Sequence, residues 1–173
     1  MARKALLVAD MLNDFIDPRG ALYVGQAGRD IIPFIAAKAA ATREAGGLVI
    51  YLCDAHAPDD PEFRLFPPHA VKGTWGAQVI PELAPAPGDL VVEKTRYNPF
   101  AGTNLEEVLR REGITEAGVV GVCTSICVLE TVRGLFEMGL FAIVFRDGVA
   151  DFDPEAHAFA LKYMPRVLGA KVV

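Results

Sequence analysis

The segment Ala117–Leu140, AGVVGVCTSICVLETVRGLFEMGL, decides how the rest of the chain is read. Its core, Val119-Val120-Gly121-Val122, is a short apolar run of the kind shown by a strand buried on both faces. The chain then turns through Cys123-Thr124-Ser125 and resumes from about Ile126 with the pattern of a long helix. Cys127 is thereby expected in a first helical turn, just past the carboxyl end of a strand. Backbone N–H groups at a helix start lack partners, and the helix dipole is positive there. A thiol so placed is expected to titrate below its free value of about 8.5, and the thiolate is the nucleophilic form. The alternative is an inert cysteine that packs as a small apolar side chain.

Working outward, the same alternation recurs along the chain. Apolar runs at Lys4–Ala9, Leu48–Cys53, Leu90–Glu93 and Phe141–Phe145 read as strands, with a short last one at Ala170–Val173. Helices are expected over Arg29–Glu44, with Pro33 tolerated near its start and Gly46-Gly47 ending it. Others are expected over Leu105–Glu112, capped by Thr103 or Asn104, and over Pro154–Tyr163, with a short one at Trp75–Leu83. Asp147 reads as the opening of a polar loop. Ala55–Gly73 is a long loop carrying Pro58, Pro61, Pro67 and Pro68, and loops of that length are usually functional or disordered. Strands and helices in alternation, with almost wholly apolar strands, predict an α/β fold. The expected form is a three-layer α/β/α sandwich around a mainly parallel sheet of about six strands, in one domain over residues 1–173.

Composition narrows the function. With 173 residues and 52% hydrophobic content the chain can bury a sizeable core. A net charge of −5 without a basic cluster gives no footing for nucleic acid or anionic lipid, and no apolar run approaches the roughly 18–20 residues of a membrane span. The basic, apolar start breaks at Asp10 with no small-residue cleavage site, so a secretory signal is not expected. Three cysteines, an odd number, fit reduced thiols and a cytoplasmic location. The partner expected is a small molecule, and a homo-oligomer is compatible with the composition.

In a parallel sheet, residues that follow the strands gather on one edge, where such sheets bind ligands. Asp10, Asp54, Lys94 and Cys127 all do so. Taken singly, an Asp there is a common helix cap and a Lys is usually solvated. Together they offer a carboxylate to take a thiol proton, an ammonium to favour the thiolate, and a nucleophile for a carbonyl carbon. Asp54-Ala55-His56 forms a second group. Residues two apart in extended chain point the same way, and Glu62 and His69 could complete a mixed N/O shell for zinc or another first-row divalent metal. The plainer reading makes His56 and His69 surface histidines of a loop. His157 has no such company and reads as structural, and Cys53 reads as core. Cys123 and Cys127 are spaced C-x-x-x-C, which is not the C-x-x-C of thioredoxin-like sites.

At these residues the sequence resembles the isochorismatase-like cysteine hydrolases and, within them, the nicotinamidases. The stretches that carry the resemblance are LLVADMLNDF, DAH with FPPHAVKGTWGAQ, EKTRYNPFAGTNLEEVLR and GVCTSICVLETVRGLFEMG. It implies Asp10, Lys94 and Cys127 as a catalytic triad that forms an acyl-enzyme from a carboxamide. It also implies a cis peptide between Val122 and Cys123, with the N–H groups of Cys123 and Cys127 as oxyanion hole. Asp54, His56 and His69 match the family's metal ligands, and Glu62 matches a fourth that varies between members. The ion implied is zinc, with iron or manganese as alternatives, holding the ring nitrogen of the substrate. Phe15, Leu22, Trp75 and Tyr97 are the expected pocket walls.

Ser125 departs from the pattern, since many relatives carry Asp there, and Ala70 stands where several have Cys. The reading that follows is a metal-dependent nicotinamidase, converting nicotinamide to nicotinate and ammonia. The alternatives are an amidase for another small carboxamide or ureido substrate and a non-catalytic thiol-based binding protein. Isochorismatase activity fits less well, because relatives with that activity tend to replace the cysteine.

Overall fold

The computed structural model describes residues 3–173; Met1 and Ala2, where the basic start begins, lie outside them. Six strands form one sheet: β1 Arg3–Ala9, β2 Leu48–Asp54, β3 Leu90–Lys94, β4 Ile114–Val122, β5 Phe141–Ala150 and β6 Lys171–Val172. Their order is β3-β2-β1-β4-β5-β6, and every neighbouring pair is parallel. The helices are α1 Asn13–Ile16, α2 Gln26–Asp30, α3 Ile32–Glu44, α4 Leu105–Arg111, α5 Leu129–Glu137 and α6 Pro154–Val167.

Side chains alternate across the sheet and bury both faces, which is why the strands read as unbroken apolar runs. Leu7, Ile50 and Val119 pack under α4, α5 and α6 with Leu105, Val132 and Met164. Leu6, Val49, Tyr51 and Val120 pack on the other face with Ile32, Ile35 and Ala39 of α3. The three-layer α/β/α expectation therefore holds, with the sheet parallel throughout. Strand order reverses between β1 and β4, so a crevice opens at their carboxyl ends, where ligands bind in sheets of this kind.

Several boundaries differ from the sequence reading. The expected helix over Arg29–Glu44 is broken at Ile31, so that Pro33 falls in the first turn of α3, where a missing N–H costs nothing. Trp75–Leu83 is two short 3₁₀ turns, Trp75–Ala77 and Pro81–Leu83. Thr103 Oγ1, 3.2 Å from the Leu105 N–H, is the side chain that meets the start of α4. The helix α6 runs past Tyr163 to Val167, with Pro165 in its final turns.

The largest difference is at Asp147. β5 continues there, because its pairing with β4 shifts between Val119 and Gly121 and resumes as Gly121–Val149 and Val122–Ala150. Gly121 makes the shift possible. It has φ +113°, and a Cβ there would lie 2.0 Å from the Ala9 carbonyl oxygen of β1. The prolonged strand delivers Asp151 to the segment that carries Cys127.

Candidate active site

Four strand ends meet at the crevice. Asp10 follows β1 with a left-handed backbone, φ 50°, uncommon outside glycine and frequent at functional sites. Its Oδ1 accepts the Asp54 N–H at 2.8 Å, locking β1 to the end of β2. Lys94, the last residue of β3, is buried, and its Nζ forms an ion pair with Asp10 Oδ2 at 2.8 Å and donates to Asp54 Oδ1 and to Cys127 Sγ at 3.5 Å. Asp10, Lys94 and Cys127, separated by tens of residues in the chain, thus share one buried cluster. The peptide Val122–Cys123 is cis, as the resemblance implied.

Cys127 does not open a regular helix. It lies in a widened turn, Thr124–Val128, in which the Val128 N–H reaches back to the Cys123 carbonyl at 3.1 Å before α5 begins. The Cys123 N–H has no acceptor among the described residues, so it is free to serve an incoming oxygen. Ser125 does not itself cap this turn. Its N–H and Oγ both donate to Asp151 Oδ2, at 2.8 and 2.7 Å, so a carboxylate from the end of β5 anchors it. His157, expected to be structural, pairs its Nδ1 with Thr124 Oγ1 at 2.8 Å and ties α6 to the same turn.

The electrostatics reverse one expectation. Burial, opposed by Lys94 and reinforced by Asp10 and Asp54, pushes the Cys127 thiol well above the ordinary range. Burial thus favours the neutral form of the thiol. Burial and the Asp54 charge raise Asp10 to about 6, against the pull of Lys94. Burial by itself would discharge Lys94, but the Asp10 and Asp54 carboxylates more than compensate and hold it protonated. A carboxylate with a pKa of about 6, within 4.8 Å of the thiol, is placed to receive its proton.

Asp54 links this cluster to a second. Its Oδ2 lies 3.5 Å from His56 Nε2. Ligand atoms of Asp54, His56 and His69 lie within 4.8 Å of one another. Glu62 faces both rings, its Oε2 3.9 Å from His56 Nε2 and its Oε1 3.4 Å from His69 Nε2. His56 and His69 are therefore not surface residues, being buried to 0% and 2% exposure. Burial alone would lower His56, but Asp54, Asp60 and Glu62 raise it to about 9, so the cluster attracts positive charge. Both ring nitrogens of His56 lack a well-aligned partner. An orphaned buried nitrogen, two carboxylates and a second imidazole suit a first-row divalent cation. Asp10, Asp54 and Cys127 also form a ligand-like group, but the Lys94 ammonium already serves it.

Asp10 and Cys127 of the first cluster and Asp54, Glu62 and His69 of the second line a cavity of about 320 Å³. Phe15, Leu22 and Tyr97 line it, as expected, and so do Tyr23, Phe66 and Phe152, which sequence reasoning did not single out. Trp75 does not. Its carbonyl accepts from Asn13 Nδ2 at 2.9 Å and Gly76 is pressed against Asp14, which turns the indole outward beneath Arg19. Cys53 is core, as expected.

Comparison with known proteins agrees with this geometry. The isochorismatase domain family matches residues 4–173. The chain belongs to that family. It is 40% identical to a nicotinamidase of Bacillus subtilis, covering 99% of each chain with a TM-score of 0.94. It is 37% identical to an N-carbamoylsarcosine amidase of Thermoplasma acidophilum, covering 98% of this chain and 95% of that one, with a TM-score of 0.89. A pyrazinamidase of Pyrococcus horikoshii, solved in complex with zinc, is 30% identical with a TM-score of 0.91, covering 99% and 98% of the two chains. No helix among the described residues is long and apolar enough to cross a membrane.

Proposed function

We propose that this chain is a metal-assisted nicotinamidase, hydrolysing nicotinamide to nicotinate and ammonia, and acting as one domain in cytoplasmic pyridine-nucleotide salvage. The observation that supports the reading is the shared cavity, with the Cys127 thiol and the Asp10 carboxylate at one wall, the Lys94 ammonium against both, and Asp54, Glu62 and His69 beside them with His56 in contact. The proportions suit a small flat ring with a polar atom at each end. Phe15, Leu22 and Tyr97 supply apolar surface for its faces.

Asp10 takes the Cys127 proton as Sγ attacks the carboxamide carbon, and Lys94 stabilises the sulfur charge as it forms. The oxygen of the tetrahedral intermediate is received by the N–H groups of Cys123 and Cys127. Asp10 returns the proton to the departing nitrogen, which leaves as ammonia. A water, deprotonated by Asp10, then attacks the thioester, and nicotinate leaves as the thiol is reprotonated. Asp54, His56, His69 and Glu62 would hold the divalent ion, zinc in the first instance. When bound, the ion supplies a Lewis-acid contact for the pyridine nitrogen, which orients the ring.

A general carboxamide or ureido amidase is the second reading, favoured by the likeness to the N-carbamoylsarcosine amidase. The histidine cluster decides between them. Ammonia release is measured from nicotinamide and from benzamide, which lacks the ring nitrogen, with elemental analysis of the protein. Strong preference for nicotinamide, with one equivalent of metal, is expected. Equal turnover of benzamide, or full activity in metal-stripped protein, transfers the assignment to the general amidase.

A further inference from the structure

The cluster around His56 contains one carboxylate that the ligand set does not use. Asp60 is buried, two residues before Glu62, and its Oδ2 lies 3.1 Å from His56 Nδ1, within ion-pair distance though outside hydrogen-bond alignment, on the side of the ring opposite the nitrogen that faces Asp54 and Glu62. Its Oδ1 accepts the Glu62 N–H at 2.9 Å and caps the 3₁₀ turn Pro61–Arg64. Arg96, just beyond the end of β3, reaches Asp60 Oδ2 at 3.3 Å. One side chain thus touches an imidazole, the backbone of a second candidate ligand, and the segment just past the strand that carries Lys94.

His69 shows a related arrangement, in which the oxygen at Nδ1 is aligned for a hydrogen bond. Its Nδ1 lies 2.8 Å from the Pro67 carbonyl oxygen, while its Nε2 faces Glu62 at 3.4 Å. In both rings an oxygen stands at Nδ1 and the carboxylate cluster stands at Nε2. An oxygen acceptor at Nδ1 places the proton there and leaves the Nε2 lone pair for a cation.

We propose that Asp60 is a positioning residue of the cation site, fixing the tautomer and ring plane of His56 through Nδ1 while seating Glu62 through its backbone. The proposal rests on the metal reading given above. Asp60 stands behind the imidazole, so it acts through His56 and Glu62 and stays outside the coordination shell. Its loss weakens the site without removing a ligand. Partners of this kind typically change metal affinity about 10–100-fold.

Two variants separate this role from simple capping. Asp60→Ser keeps a good cap for the Glu62 N–H but is too short to reach His56. Asp60→Asn keeps the shape and loses the charge. Zinc affinity is measured by competition with a chromophoric chelator, alongside the thermal midpoint of the chelator-treated proteins and the visible spectrum of the cobalt(II)-loaded forms. The expected result is zinc binding weakened about 10–100-fold in both variants. Chelator-treated midpoints stay near wild type, and the cobalt bands keep their positions at saturation. Wild-type zinc affinity in Asp60→Ser overturns the proposal. A lowered midpoint that accounts for the weaker binding overturns it in favour of capping. Shifted cobalt bands overturn it by making Asp60 a ligand. A wild-type protein that binds no zinc refutes the metal reading itself, and is recognised before any variant is made.

Discussion

The two residues that exchange the proton set the pH behaviour. Asp10 is raised to about 6 by burial and by Asp54, and it must be ionised to accept from Cys127. A carboxylate with a raised pKa becomes ionised only as pH climbs through that value. The account therefore predicts a kcat/KM that rises about tenfold per pH unit below 6 and levels off above it. Asp10→Asn should lose at least about 100-fold in acylation and show no such limb. Cys127, held neutral by burial, is expected to react with iodoacetamide more slowly than a free thiolate, despite Lys94 at 3.5 Å. Alkylation of resting Cys127 as fast as that of an activated thiol would contradict the neutral resting state. The helix-dipole argument from sequence does not hold, since Cys127 lies in a widened turn and its thiol is raised. What it lacked was the degree of burial and the two carboxylates around the sulfur, both of which come from tertiary packing.

At the scale of elements, the nucleophile turn depends on the end of β5. Asp151 holds Ser125 by two hydrogen bonds, and the turn between them carries Cys127 and the oxyanion donors. Small misplacements of reacting groups are costly, so Asp151→Ala should lower kcat by about 10-fold or more with little change in KM. Ser125→Ala removes one of the two bonds and should cost less, about 0.5–1.5 kcal/mol. Steady-state kinetics of the two variants side by side make the check. Gly121 permits the pairing shift that extends β5, and Gly121→Ala should destabilise the fold by about 1–3 kcal/mol or more in denaturant titration. This part of the site was not legible in the chain. Arg146-Asp147-Gly148 has the composition of a loop, and only the shifted register with β4 makes it strand. Asp60 was hidden for a similar reason, since it reaches His56 through the fold of the proline-rich loop. Asp10, Asp54, Lys94 and Cys127 were legible because a parallel sheet places the residues that end its strands without help from loop geometry.

At the scale of the molecule, topology brings the chemistry together. The reversal between β1 and β4 opens the crevice, and the cores on both faces of the sheet hold the strand ends in place. A cation bound at Asp54, His56, Glu62 and His69 would join the end of β2 to the loop that follows it. A ligand that binds only the folded state stabilises it by about 2.7 kcal/mol at a hundredfold excess over Kd, or about 5–10 °C in Tm for a chain of this size. Chelation should lower Tm by that order, zinc should restore it, and His56→Ala should respond to neither. Tyr23, Phe66 and Phe152 complete the cavity from separate loops, which is why only part of its wall could be named from the sequence.

The central claim is that Cys127 carries an acyl group taken from nicotinamide. The direct measurement is ammonia release from nicotinamide by the wild-type protein and by Cys127→Ala, with rapid acid quench and peptide mass spectrometry of the wild type. The account predicts ammonia from the wild type and none above background from Cys127→Ala, with a nicotinoyl adduct on the peptide containing Cys127. Ammonia released at a comparable rate by Cys127→Ala, or no release from nicotinamide by zinc-loaded wild type, would contradict it.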